Sequence, residues 1–351
     1  QLRHVTPENS SLNEFIMLTL TTRSQTGMCM QIRVCAVLPV LNEEKFIKRC
    51  IDSLLAQTFP IKIMVLDGGS TDTTLEILKS YGNLIHVIDN PGKRVANARN
   101  LALRHLDDDI THCLEIIGHS WVDEDHVERR VNDLIELEAT LGKRVGANGC
   151  LTETGGSVGH VSSWLEGALR SPIGSGGGQF KRFEGRHQTK VPAFCLHNVE
   201  ALKEVGGWDE RFITSQDSDL SMRLISAGWQ LWRSDVSCVY MHKRSSLSNW
   251  WKMCHRYGFW RTKVALRHPK RIDLREFLPL LGLFLIIALP EWWYAPVAYV
   301  TVLLFSGVLY SKSRPSCFVG IPICLIMLHT AFTIGMFDGL IRNGRAPSDR
   351  T

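Results

Sequence analysis

The chain has 351 residues, 44% of them hydrophobic and 21% charged, with 28 glycines and a formal charge of +5. That length allows two or three units of about 100–200 residues each, and the composition excludes disordered, collagen-like and small disulfide-scaffold proteins. The charge excess is too mild to imply a nucleic-acid partner.

Residues 1–30 lack the long apolar run of a signal peptide and are expected to be a poorly ordered lead-in. From there the chain alternates apolar runs with helical patterns. Val34–Val40 is a predicted strand, and between Glu43 and Gln57 the residues Phe46, Ile47, Cys50, Ile51, Leu54 and Leu55 recur at helical spacing. Ile61–Asp67 is the second strand and Thr71–Tyr81 the second helix, entered through Ser70, Thr71 and Asp72 as capping groups. Ile85–Asp89, Val95–Leu106, Cys113–Ile117 and the amphipathic Asp123–Leu141 continue the β-α-β rhythm. Such a rhythm predicts an α/β fold with a mostly parallel central sheet flanked by helices. In these sheets ligands sit beyond the carboxyl ends of the strands. The segments to watch are therefore Pro39–Glu43, Asp67–Asp72, Asp89–Arg99 and Ile117–Asp125. Further along, Gly174–Gly178 is expected to be a flexible loop.

The last third changes character. From Phe277 to Ser311 the sole charged residue is Glu291, and from Pro315 to Phe337 there is none. A membrane helix needs about 20 apolar residues, which Trp292–Tyr310 and Cys317–Phe337 supply, while Phe277–Leu289 is short and closed by Pro290. Two to three spans are expected within residues 277–340, followed by a tail at 341–351. The preceding Arg261, Lys263, Arg267, Lys270, Arg271 and Arg275 form a cationic flank, within an amphipathic interfacial segment at 246–276. The positive-inside rule then puts the head, residues 31–245, on the cytoplasmic side of a multi-pass cell-membrane protein. Ten cysteines without a C-x-x-C pair, several inside apolar runs, read as buried thiols in a reducing compartment.

At the first strand end stand Pro39, Leu41, Asn42 and Glu43, and at the second Asp67, Gly68, Ser70 and Asp72. Carboxylates beside a glycine turn and a helix N-terminus suit a nucleotide, and suit turn and cap chemistry equally well. Arg94, Asn97 and Arg99, at the third, offer cations to a diphosphate or simply begin a solvated helix.

Taken together, VLPVLNEEKFIKRCIDSLLAQTF, MVLDGGSTDTTLEIL, NPGKRVANARNLAL, VGGWDERF and SQDSDLSMRLISAGW resemble the family-2 glycosyltransferases. GHSWVDEDHV, SSWLEGALRSPIGSGGGQFKR and WWKMCHRYGFWRTK are similar to the branch typified by succinoglycan-biosynthesis glucosyltransferases. The resemblance implies the GT-A nucleotide-sugar fold. It places the donor, most simply a UDP-sugar, on Pro39, Leu41, Asn42, Glu43, Asp67, Gly68, Ser70, Asp72, Arg94, Asn97, Arg99, Gly118 and Arg256. Gly207, Trp208, Asp209 and Trp260 fall on the acceptor side, and Asp217 takes the position of the general base. The family's metal motif ends here in His119, but its first carboxylate is replaced by Ile117. A divalent cation, Mg²⁺ or Mn²⁺, is expected from the family, with His119 as ligand and Glu115, Asp123 or Asp125 as possible replacements for the missing oxygen. The implied activity is inverting transfer of a sugar to a lipid-linked saccharide or polysaccharide precursor. The alternatives are a polyprenyl-phosphate sugar synthase and an inactive nucleotide-sugar-binding scaffold.

Overall fold

A computed structural model describes residues 21–23, 29–155, 159–175, 182–242, 246–288, 293–311 and 314–349. The lead-in thus lies largely outside the described residues, apart from a short antiparallel pair, Thr21–Arg23 with Cys29–Gln31. So do most of the expected glycine loop and the residues from Leu289 to Trp292.

The head begins with β1 (Val34–Val40), α1 (Ile47–Leu55), β2 (Ile61–Asp67), α2 (Thr74–Lys79), β3 (His86–Asp89), α3 (Val95–His105) and β4 (His112–Glu115). All are close to the elements read from the sequence. Then follow β5 (Ser120–Val122), α4 (His126–Leu141), β6 (Val145–Thr154), α5 (His160–Arg170), β7 (His187–Gln188), β8 (Leu196–Asn198), α6 (Val199–Glu204), α7 (Gln216–Ser226) and β9 (Gln230–Met241).

One sheet runs in the order β3-β2-β1-β4-β8-β6-β9-β5, with β7 on β9. The first four strands are parallel, as expected. The rest is not: β8 is antiparallel to both β4 and β6, and β9 is parallel to β6 but antiparallel to β5 and β7. The sheet is therefore mixed rather than mostly parallel. The short β8 and the Gly- and Asn-interrupted start of β6 carry no clean apolar run to announce them. Residues alternate across β1, so that Val34, Ala36, Leu38 and Val40 pack with α1, α2 and α4, while Cys35 and Val37 pack with α3, α6 and α7. The cysteines from Cys35 to Cys324 are all free, and all but Cys238 are buried.

Four α-helices, with short 3₁₀ turns at Pro269–Arg271 and Leu274–Phe277, complete the described chain: α8 (Leu247–Arg267), α9 (Leu278–Ala288), α10 (Tyr294–Tyr310) and α11 (Pro315–Ile341). Of the expected spans, α11 alone among the described helices is long and apolar enough to cross a membrane, with 27 residues. The 17 residues of α10 reach only about 25 Å, short of a hydrocarbon core of about 30 Å. α8 and α11 lie side by side at close range. A Cβ on Gly335 would sit 2.0 Å from the carbonyl oxygen of His255, and one on Gly258 would sit 2.0 Å from that of Phe332. Trp250 Nε1 donates to Cys324 O (3.0 Å), Thr262 Oγ1 donates to Met336 O (3.1 Å), and His255 Nε2 lies 3.0 Å from Asp338 Oδ2. At its other end α11 meets α5, where Trp164 Nε1 donates to Ser316 Oγ (3.3 Å) and Arg314 to Ser163 Oγ. Past α11 the chain folds back, burying Ala346 against Phe212, Phe259, Trp260 and Val264.

Candidate active site

The ends of β1 and β2 are cross-laced. Asn42 N donates to Ser70 Oγ (3.0 Å), Glu43 N to Thr74 Oγ1 (2.9 Å), Glu44 N to Asp72 Oδ2 (3.2 Å), and Thr71 N to Asn42 Oδ1 (2.8 Å). Asp67 is 2% exposed and spends both oxygens on its own turn: Oδ2 accepts from Gly69 N and Ser70 N, and Oδ1 from Ser70 Oγ. Asp67, Gly68, Ser70 and Asp72 therefore brace the rim. Pro39, Leu41, Asn42, Glu43, Arg94, Asn97, Arg99, Gly118, His119, Asp217 and Arg256 all line one continuous cleft of about 2620 Å³. Gly207, Trp208, Asp209 and Trp260 are not among its lining residues.

Backbone strain marks the same cleft. Among the described residues, the non-glycine positions with positive φ are Asn42 (+54°), Lys93 (+58°), Phe194 (+48°) and Ser215 (+63°), and all four line it. Each such residue costs of order 1–3 kcal/mol and persists only where its surroundings fix it, typically at functional sites. Ser215 turns the chain into α7 and sets Asp217 in that helix's first turn.

At the β4 end, His119 Nδ1 lies 2.8 Å from Glu43 Oε1. An ionised carboxylate can only accept, so this pairing puts the proton on Nδ1 and leaves Nε2 for a cation. A ligating histidine oriented by a carboxylate on its other nitrogen is the usual second shell of a metal site, so the pair fits one protein ligand to a divalent ion. Gly118 makes room for it: a Cβ there would lie 2.9 Å from Glu43 Cγ. The proposed replacements for the missing carboxylate serve elsewhere. Asp125 pairs with Arg129, and Asp123 accepts from Tyr240 OH at 3.4 Å. Glu115 is buried with its Oε1 3.3 Å from Arg99 Nη1 and 3.1 Å from His197 Nε2. Its carboxylate, with Cys195 and His197, is compact enough to hold a metal, but the Arg99 guanidinium already stands there as the cation.

Arg99 was expected at the diphosphate. Its buried guanidinium instead forms a salt bridge to Asp217 and reaches Glu115. Arg94 Nη1 donates to Glu210 O (3.4 Å), and Asn97 Nδ2 donates to the Glu210 carboxylate, so both tie the cleft to the VGGWDERF segment. Asp209 is held by Arg211 (2.6 Å) and Arg267 (2.5 Å), which keep its carboxyl well below the usual range. Trp208 is buried, with His197 edge-on at 5.6 Å and the Arg99 guanidinium 5.4 Å from its ring. Trp260 Nε1 donates to Asp349 Oδ1 (2.9 Å), and Arg256 Nη1 to Ser348 O (3.1 Å), so residues after α11 close one side of the site.

The Asp217 side chain is 45% exposed, onto the cleft. The protein body around it raises its carboxyl above the ordinary aspartate value, outweighing Arg99, and Glu115 adds to the rise. For Glu115 burial pushes upward too, but Arg99 and His197 prevail and bring it to about 2. Glu210, His197, Ser348 and Asp349 escaped the sequence reading. Only Glu210 had a signal, its place within VGGWDERF.

A strained cleft at the carboxyl ends of parallel strands, with cations, a histidine–carboxylate pair and an arginine-held aspartate open to the cleft, fits a group-transfer enzyme of the nucleotide-sugar type. The model of the family described as Glycosyl transferase family 2 matches residues 35–206. The chain is 30% identical over 249 residues to the succinoglycan biosynthesis protein ExoA of Rhizobium meliloti, covering 70% of this chain and 73% of that protein. It is 23% identical over 321 residues to a dolichyl N-acetyl-alpha-D-glucosaminyl phosphate glucuronosyltransferase of Methanococcus voltae, covering 88% of this chain and 97% of that one. The solved mannosyltransferase PcManGT of Pyrobaculum calidifontis, in complex with GDP-Man and Mn²⁺, superposes with a TM-score of 0.55 at 15% identity, covering 94% and 93% of the two chains. The chain belongs to glycosyl transferase family 2 and has the GT-A fold. It is a glycosyltransferase.

Proposed function

We propose that the chain is an inverting, membrane-associated glycosyltransferase that moves a hexosyl unit from a nucleotide sugar, with a UDP-sugar as first choice, to a lipid-linked saccharide. The observation that carries this reading is the mixed lining of the cleft. Lys93, Arg94, His119 and Asp217 of the head share it with Arg256 of α8 and with the apolar Leu165, Leu169, Val302, Leu328, Phe332 and Phe337 of α5, α10 and α11. A sugar diphosphate suits the charged groups and a lipid chain the apolar ones.

The apolar helices support contact with a membrane. On α10, Val297, Val300, Leu304, Phe305 and Leu309 are exposed, as are Phe318, Ile323, Ile326, Phe337 and Ile341 on α11. Contiguous apolar surface of this kind marks a membrane or partner face. The cationic flank on the last turns of α8 and just beyond it supports a cytoplasmic head. The relative named for a dolichyl-linked sugar phosphate supports a lipid-linked acceptor.

In the reaction, the acceptor hydroxyl oxygen bonds to the anomeric carbon while the bond from that carbon to the diphosphate oxygen breaks. Asp217 takes the hydroxyl proton as attack proceeds from the face opposite the nucleotide, and the anomeric centre inverts. Lys93, Arg94 and Arg256 offset charge on the departing nucleoside diphosphate. A divalent cation held by His119 would supply further charge neutralisation on that leaving group.

The test is Asp217→Asn in detergent-purified protein with radiolabelled donor. General-base catalysis predicts a loss of about 10²–10⁴-fold in transfer with donor binding kept. A loss of only a few fold would point to a phosphate acceptor, which needs no base, and would overturn the hydroxyl reading. Calorimetry with UDP-, GDP- and dTDP-sugars, in Mn²⁺, Mg²⁺ and chelator, names the donor.

A further inference from the structure

Around Asp217, in the wall of the cleft, lies a charge cluster that is buried apart from Asp217 itself. Four elements build it: Arg99 from α3, Glu115 from the end of β4, His197 from β8 and Asp217 from α7. Arg99 Nη1 touches both carboxylates, and Glu115 Oε1 has His197 Nε2 on its other side at 3.1 Å. Trp208 walls the group against both Arg99 and His197. The side chains of Arg99, Glu115 and His197 are all at most 7% exposed, so water cannot screen these charges as it does at a surface.

A single arginine facing a single aspartate would fix the carboxylate in place but also neutralise it, leaving a poor proton acceptor. A second carboxylate on the same guanidinium divides that charge. Building on the reading of Asp217 as base, we propose that Arg99, Glu115 and His197 are positioning residues. Arg99 aims the Asp217 carboxylate at the acceptor hydroxyl, Glu115 draws off part of the guanidinium's charge so that Asp217 remains basic, and His197 fixes Glu115. This places Arg99 behind the base rather than on the diphosphate.

The charged and titratable groups facing Asp217 from the packed elements are Arg99, Glu115 and His197, and those facing Arg99 include Cys195 as well. Removing the Glu115 charge leaves Arg99 wholly to Asp217, so the base weakens. Shortening Arg99 to lysine takes its cation out of the place Nη1 holds between the two carboxylates and frees Asp217, so its carboxyl moves up. The pH profile of kcat/KM therefore separates a positioning role from a structural one.

The experiment measures transfer against pH for the full chain with Glu115→Gln and Arg99→Lys, alongside donor binding by calorimetry. Expected are an acid limb moved down by about one pH unit in Glu115→Gln and up in Arg99→Lys, with donor affinity unchanged and the plateau rate about tenfold lower in each. Rate loss with the limb unmoved in both variants would overturn the proposal, as would a fall in donor affinity in Arg99→Lys, which would return that residue to the diphosphate. Should Glu115→Gln fail to fold, Arg99→Lys alone decides by the direction of its limb. If Asp217→Asn transfers normally, the base reading itself fails; if Asp217→Asn is inactive and neither limb moves, only the positioning scheme falls.

Discussion

Replacing Gly335 by alanine tests how α8 is fastened to α11. The added methyl would lie 2.0 Å from the His255 carbonyl oxygen. Carbon–oxygen contacts normally begin near 3.3 Å, so the helices must part by about 1.3 Å. Three contacts cross that seam at 3.0–3.1 Å, from Trp250, Thr262 and His255, and such a displacement takes each beyond hydrogen-bonding range. Overpacking costs about 1–3 kcal/mol, and each weakened bond about 1 kcal/mol, so the non-additive total is about 3–5 kcal/mol. For a chain of this size that corresponds to a drop of about 5 °C or more in Tm. Gly282→Ala in α9 is the matched control, since its methyl would meet nothing within 4 Å. Thermal unfolding in one detergent should separate the two variants. Equal midpoints would refute the reasoning and mean that the helices are not in contact at Gly335.

Other substitutions probe separate parts of the structure. Glu43→Gln should weaken Mn²⁺ binding by about 10–100-fold, read by Mn²⁺ electron spin resonance, because His119 loses the carboxylate that orients it; unchanged affinity would remove His119 from the cation. Asp209, depressed well below the ordinary value, contributes stability that is present above about pH 4 and lost as pH falls through its folded value. Between about pH 5 and pH 2 the denaturation midpoint of the wild type should therefore fall more steeply than that of Asp209→Asn, and parallel slopes would show the ion pairs to be silent. Phe259→Ala removes a ring that is 0% exposed beneath the segment after α11 and should cost about 3–5 kcal/mol by chemical denaturation. A cost below about 1 kcal/mol would mean that this cluster is loosely packed.

The first half of the head could be read from its residues because each element there is local: Ile47, Cys50, Ile51 and Leu54 declare a helix without reference to anything else. β8 could not, since its three residues become a strand only by inserting between β4 and β6. The site divides along the same line. Asn42, Glu43, His119 and Asp217 stand in short motifs, and the sequence pointed to them. What those side chains do depended on distant partners. Asp67 looked like a ligand but satisfies its own turn, and Arg99 looked like a phosphate contact but pairs across 118 residues with Asp217. The contribution of Ser348 and Asp349 was invisible, since nothing in the intervening helix reveals that the chain returns.

That return bears on how the apolar helices meet lipid. α11 spans about 40 Å, and both of its ends are tied down, one to Ser163 of the head and the other to His255 and Lys263 of α8. A rod lashed to one hull at stem and stern lies along it like a keel and cannot stand out as a mast. For the membrane association proposed above, this means that a bilayer would meet α11 broadside and that a long-tailed acceptor would slide in from the flank while its sugar stays at the waterline.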